Sequence, residues 1–168
     1  LGTTGGYYVH DGVKYNYTDA GQAGRFTLTQ DASGPANSGH RQSLKVDVTT
    51  ADASIAAADM YYFELPIEAQ NCSHLKYGES GAESLAISFW VRSTTTGDYQ
   101  FMIQQLDTTR QYSTTYTIDS ADTWEQKTII IAGDTSGVIN NDTGPGLTMT
   151  FCLTGGSTFQ GGTEDAWA

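Results

Sequence analysis

The stretch from residue 84 to residue 131 constrains the fold most, because it strings four strand-like runs together with only short polar turns between them. Its first run, Ser84 to Ser93, alternates: Leu85, Ile87, Phe89 and Val91 fall on one face, and Ala86, Ser88, Trp90 and Arg92 on the other. A period of two belongs to a pleated strand with one face in a core, since successive Cβ atoms point to opposite sides. Thr94-Thr95-Thr96-Gly97-Asp98 turns the chain into a second run, Tyr99 to Leu106, and Asp107 to Arg110 turns it back. Strands joined by connections this short pair antiparallel, so the stretch reads as a meander within a sandwich or barrel.

Similar runs occur on both sides. Arg25 to Gln30 alternates Phe26 and Leu28 with threonines, and Ser43 to Val48 places Leu44, Val46 and Val48 inward. Met60 to Glu68 reads as a strand with Pro66 marking an edge or its end, because proline cannot donate to a ladder. Leu147 to Leu153 is the last clear strand, and the glycine-rich tail from Thr154 is expected to be weakly structured. Residues 51–59 and 132–146 read as loops, and Leu75-Lys76-Tyr77-Gly78 as a short connector. The expected fold is all-β: a two-layer antiparallel β-sandwich of the jelly-roll type over residues 25–168. Residues 1–24, with Tyr7, Tyr8, Tyr15 and Tyr17 among glycines, are an N-terminal arm or extra strand.

Charge narrows the function classes. Eight Lys and Arg against 19 Asp and Glu give a net charge of -11, with no basic cluster. A nucleic-acid partner is therefore not expected, since phosphate binding needs concentrated positive charge. No apolar run approaches the roughly 20 residues of a membrane helix. The opening at Leu1 and the abrupt ending at Trp167-Ala168 suggest a segment cut from a longer polypeptide. Cys72, in a loop-like stretch, and Cys152, on a strand, are expected to be free thiols rather than a bridge, and they lack the spacing of a zinc site.

His10, His40 and His74 fall in loop-like regions without metal-ligand spacing, and no nucleophile elbow or phosphate-binding loop occurs. Most acids, including Asp52, Asp59, Asp98, Asp107, Asp119, Asp122, Asp134 and Asp142, sit at turns, where Asp stabilises the turn and stays solvated. No enzyme activity and no cofactor are expected; acidic loops lack a calcium-loop spacing. The polar face of the first meander strand offers the candidate ligand site: Trp90 and Arg92, with Gln100, Gln104 and Tyr112 from neighbouring strands. A ring among amide and guanidinium groups suits a sugar, stacking on its apolar face while the polar groups bond its hydroxyls. Alternatively, Trp90 is covered by a strand, a loop or a neighbouring subunit. Trp124, opening a strand, is expected in the core.

Ser43-Leu44-Lys45-Val46, LAISFWVRSTTTGDYQ, YTIDSADTWEQKTIIIAGDTSG and LTMTFCLTGGSTF follow one another in this order. The set resembles a β-sandwich domain recurring in tail-fibre and other virion structural proteins of tailed bacteriophages, over roughly residues 40–168. More distantly, it is similar to jelly-roll carbohydrate-binding modules. The resemblance implies a non-enzymatic virion component, a homotrimeric appendage domain that contacts other virion subunits and helps adhere to a cell-surface glycan. In that family a further strand follows a Trp like Trp167 and closes the sandwich, so the resemblance implies a last strand that is missing here or borrowed. The resemblance assigns no binding residue. A carbohydrate-binding module of a microbial enzyme or surface protein is the alternative, and a small glycan lyase or hydrolase a third.

Overall fold

In the computed structural model, residues 6–10, 12–18, 23–160 and 163–168 are described, and they form ten strands and one short α-helical turn. The strands are β1 (Gly6–His10), β2 (Val13–Thr18), β3 (Arg25–Asp31), β4 (Ser43–Thr50), β5 (Met60–Glu68), β6 (Leu85–Val91), β7 (Gly97–Gln105), β8 (Arg110–Ile118), β9 (Glu125–Ile131) and β10 (Pro145–Gly155). The helical turn, α1, spans Ala69–Cys72. The chain is thus all-β with antiparallel ladders, as the alternating runs predict. It divides into two compact units: residues 1–63 with 153–160, and residues 64–152 with 161–168.

The second unit is a two-layer sandwich. In one layer β7 pairs with β8 from Gly97↔Ile118 to Gln105↔Arg110, and β10 joins its other side from Leu147↔Gln105 to Phe151↔Phe101. The other layer is the ribbon β6–β9, in register from Leu85↔Ile131 to Val91↔Glu125. Period two decides what each strand buries. Phe101 and Ile103 of β7, Leu147 of β10, and Ile129 and Ile131 of β9 meet between the layers, with Leu85, Ile87 and Phe89 of β6 packed against them. Phe101, Ile103, Ile131 and Leu147 are fully buried, and each stabilises the fold by about 1.5–3 kcal/mol relative to an exposed side chain. Edge-to-face rings extend this core: Phe89 lies 5.0 Å from Tyr116 and 5.1 Å from Phe151, and Phe151 lies 4.9 Å from Phe101.

Several segments read as loops supply core residues. The helical turn buries Cys72, and the connector after it buries Leu75 and Tyr77. A single turn is too short for helical periodicity to show in the sequence. Residues 163–168 are tied to β8 by edge contacts: Ala168 exchanges backbone bonds of 2.9 and 3.1 Å with Gln111, and the Asp165 N–H donates to the Ser113 carbonyl. Trp167 lays its ring beside Tyr77 and Tyr112.

Asp59 and Asp134 also depart from the expected solvated turn acids, since both are buried. Asp134 makes its turn, accepting the Ser136 N–H, but its Oδ2 also accepts from Gln105 Nε2 and Arg110 Nε, each at 2.6 Å. Gly137 is needed beside this knot: a Cβ there would stand 2.6 Å from Asp134 Oδ2 and collide with Gln105 Oε1. Its own N–H donates to Asp134 at 3.2 Å.

In the first unit, β1 and β2 form a hairpin turning at Gly12, whose φ of 82° suits glycine. Tyr15 is buried, edge-on to Phe26 at 4.4 Å, while the side chains of Tyr7 and Tyr8 lie outside the described residues. β3 and β4 pair as a two-stranded ribbon with Phe26 opposite Val48 and Leu28 opposite Val46. Here the inward assignment of β4 fails: Val48 is 65% exposed and Leu44 36%, with Val46 intermediate. Alternation shows which residues share a face, but a ribbon of two strands buries that face only where another layer covers it.

Both cysteines are free and buried. Cys72 belongs to the core cluster that includes Leu147, whereas Cys152 is on the opposite face of β10, its thiol 3.8 Å from Gln100 Oε1. The β10 backbone therefore lies between them. Burial pushes both thiols up, Cys152 to about 12. At pH 8 this reduces the Cys152 thiolate on the order of a thousandfold relative to an ordinary thiol. Ellman's reagent is therefore expected to titrate two thiols in denaturant but to label the native protein at least a hundred times more slowly. Rapid native labelling of either thiol would contradict this packing.

Candidate functional site

The outward face of the β6–β9 ribbon is set by the same alternation that fills the core. With Leu85, Ile87 and Phe89 packed inward, Ala86, Ser88 and Trp90 point away, and the register places Ile130, Thr128 and Gln126 opposite them. Trp90 is half-buried and pairs across the ladder with Gln126. Gln126 Nε2 donates to Ser88 Oγ at 3.1 Å, which fixes the amide and leaves Oε1 as an acceptor. Ile130, at 70% exposure, extends the face with an apolar patch.

One step beyond the ladder, Arg92 and Trp124 meet. The Arg92 guanidinium carbon stands 5.5 Å from the centre of the Trp124 ring, within cation–π range. Trp124 is thus half-buried under an arginine and outside the core cluster, contrary to the expectation that a strand-opening Trp would be internal. The reason is register: Val91 pairs with Glu125, so Trp124, the residue just before β9, follows the pairing out to Arg92, which its ring meets.

The turn carrying Trp124 is firmly held. Glu125 accepts the backbone N–H groups of Asp119 and Ser120 at 3.0 and 2.8 Å. Lys127 bridges it at 2.6 Å and reaches Asp119 at 3.1 Å, and the Asp122 N–H donates to the Ser93 carbonyl. The Lys127 ammonium and the Ser120 and Asp119 N–H groups hold the Glu125 carboxyl down at about 2. The loops before β7 and β9 are thereby tied together beside Arg92.

The remaining sequence candidates lie elsewhere. Gln100 and Gln104 sit on β7 with their side chains away from Phe101 and Ile103, on the opposite outer face of the sandwich. Gln104 Nε2 donates to Gln111 at 3.4 Å, and Gln100 accepts from the Cys152 thiol. Tyr112 is buried, its ring 5.8 Å from Trp167. The structure therefore brings Trp90 and Arg92 together and separates them from Gln100, Gln104 and Tyr112. β6 pairs with β9, a strand far along the chain, so reading the meander's neighbours as ladder partners picked the wrong strand. Trp124 and Gln126 are the partners missed. Their signal was present in the alternation Trp124, Gln126, Thr128, Ile130, but it shows only once β9 is laid against β6.

Among the described residues no group of three or more His, Cys, Asp or Glu side chains is placed to hold a metal ion, and no helix is long and apolar enough to cross a membrane. A shallow concavity of about 550 Å³ in the loop between β3 and β4, lined in part by Pro35, His40 and Arg41, contains none of the candidate residues. No protein-family model, curated protein or solved structure matches the chain.

Proposed function

We propose that this chain is a non-catalytic structural and adhesion domain of a tailed-phage appendage, a tail fibre or similar, contributing to host-surface recognition from the virion. The observation that carries the adhesive part is the outward face of β6–β9, where Trp90, Arg92, Trp124 and Gln126 converge. A half-buried ring offers a flat apolar platform for a pyranose, and a fixed amide and a guanidinium supply directional bonds to its hydroxyls. The ordered sequence phrases support the virion setting, with sister virion subunits as partners. In a homotrimer, three weak sites act together and raise avidity without any new contact.

The same face favours a second reading, a carbohydrate-binding module of a microbial polysaccharide-active or surface protein. Light scattering separates the two: the appendage reading expects a trimer, the module a monomer. For the site, a glycan array probed with the full chain is expected to give signal that falls at least tenfold in Trp90→Ala, about 1.4 kcal/mol or more. An array without signal, or one indifferent to Trp90→Ala, would remove the adhesive role.

A further inference from the structure

We infer that the β6–β9 face selects acidic glycans, with Trp90 stacking on a sugar ring and Arg92 pairing with a carboxylate carried by that sugar or its neighbour. This deepens the adhesive reading and rests on it. Lys76, Arg110 and Lys127 are paired with carboxylates, whereas among the described residues Arg25, Arg41, Lys45 and Arg92 are not, and of these four Arg92 is the one held over a ring. Among the described residues no carboxylate pairs with Arg92, although the chain carries 19 Asp and Glu.

Its contact instead is the Trp124 ring, which supports the guanidinium by its flat face. No oxygen of the described residues accepts from this guanidinium, so its N–H groups remain for a carboxylate, which they match with two parallel bonds. The support also removes much of the rotamer freedom that an exposed arginine would lose on binding. Trp90 stands two residues before Arg92, about 7 Å in extended chain, and the alternation of β6 carried one residue past Val91 puts both on one side. One face therefore presents a stacking platform, an acceptor at Gln126 Oε1 and a held, uncompensated cation. A neutral sugar would use the first two and leave the third unanswered.

The net charge of -11 opposes approach of a polyanion, but that repulsion is screened beyond about 8 Å at physiological ionic strength. Direct pairing at Arg92 acts inside that distance. Selection is then local, and a carboxylate must reach the guanidinium to gain from it.

The test uses matched polymers: polygalacturonate, alginate and polysialate, each beside its carboxyl-reduced counterpart, in affinity electrophoresis with the full chain. Retention is expected on at least one acidic polymer and at least tenfold weaker on its reduced form. Arg92→Gln is expected to lose that preference, and Arg92→Lys to recover it in part, because it keeps the charge without the fork. Thermal melting of each variant reports folding independently of binding. Equal retention on both members of a pair, or an acid preference unchanged in Arg92→Gln, overturns the inference. Retention on reduced polymers alone, abolished by Trp90→Ala, overturns it while leaving the adhesive reading intact. No retention on any acidic polymer also overturns it, and the glycan array then decides the adhesive reading separately.

Discussion

Asp134→Ala is expected to destabilise the protein by about 3–5 kcal/mol, the usual result of breaking a buried charge pair by removing one partner. Asp134 is 2% exposed, and four donors converge on its carboxylate: Arg110 Nε, Gln105 Nε2 and the N–H groups of Ser136 and Gly137. With alanine in place, the fully buried Gln105 amide loses its acceptor and cannot turn to water, while the Arg110 guanidinium, 28% exposed, loses its only carboxylate partner among the described residues. For a chain of this size the melting temperature should fall on the order of 10 °C. A double-mutant cycle with Arg110→Ala should return a coupling above about 1 kcal/mol. A loss below 1 kcal/mol for Asp134→Ala would mean that the knot contributes little.

Acidity should act on the same group. Burial alone pushes the Asp134 carboxyl up, but the Arg110 and Ser136 hydrogen bonds, the Arg110 charge and Gln105 outweigh it and hold the group below its ordinary 3.8. A depressed folded value means stability that is complete above the ordinary value and is lost as pH falls through the folded one. The difference between wild type and Asp134→Ala should therefore narrow below pH 4.

Trp167→Ala should produce the second large loss, about 2–3 kcal/mol, less than a fully buried Trp would cost because the ring is only half-buried. The indole Nε1–H donates to the Ala132 carbonyl at 2.7 Å, and the ring lies 5.6 Å from Tyr77 and 5.8 Å from Tyr112. Its removal uncovers two core tyrosines, Tyr112 on β8 and Tyr77 in the connector after α1, and frees the strand pairing of the last residues. Denaturant unfolding should show a lower midpoint, and amide exchange at Gln111, bonded to the Ala168 carbonyl, should quicken by at least tenfold. Protection at Gln111 unchanged in Trp167→Ala would show that the edge holds without the indole.

How much of this was legible beforehand differs from residue to residue. Leu85, Ile87 and Phe89 could be placed inward from alternation alone, because a strand's side-chain period needs no partner to define it. Leu44 and Val48 obey the same pattern and are nevertheless exposed, since alternation names a face and says nothing of what covers it. Asp134 has the local chemistry of any turn aspartate. Its burial depends on Gln105 and Arg110, which a hairpin brings to it from far along the chain. Trp90 and Arg92 share a face by spacing, yet chain proximity points to Gln100, Gln104 and Tyr112, whereas the companions in the fold are Gln126 of β9 and Trp124 just before it.

Local pattern determined the all-β class, the positions of most strands and the inward and outward sides of β6, because period and turn chemistry are properties of a few consecutive residues. Pairing decided the rest. Which strand lies beside β6, which carboxylate is buried and which ring supports Arg92 are contacts between distant residues, whose energies exist only after the chain has folded and water has been excluded from between them.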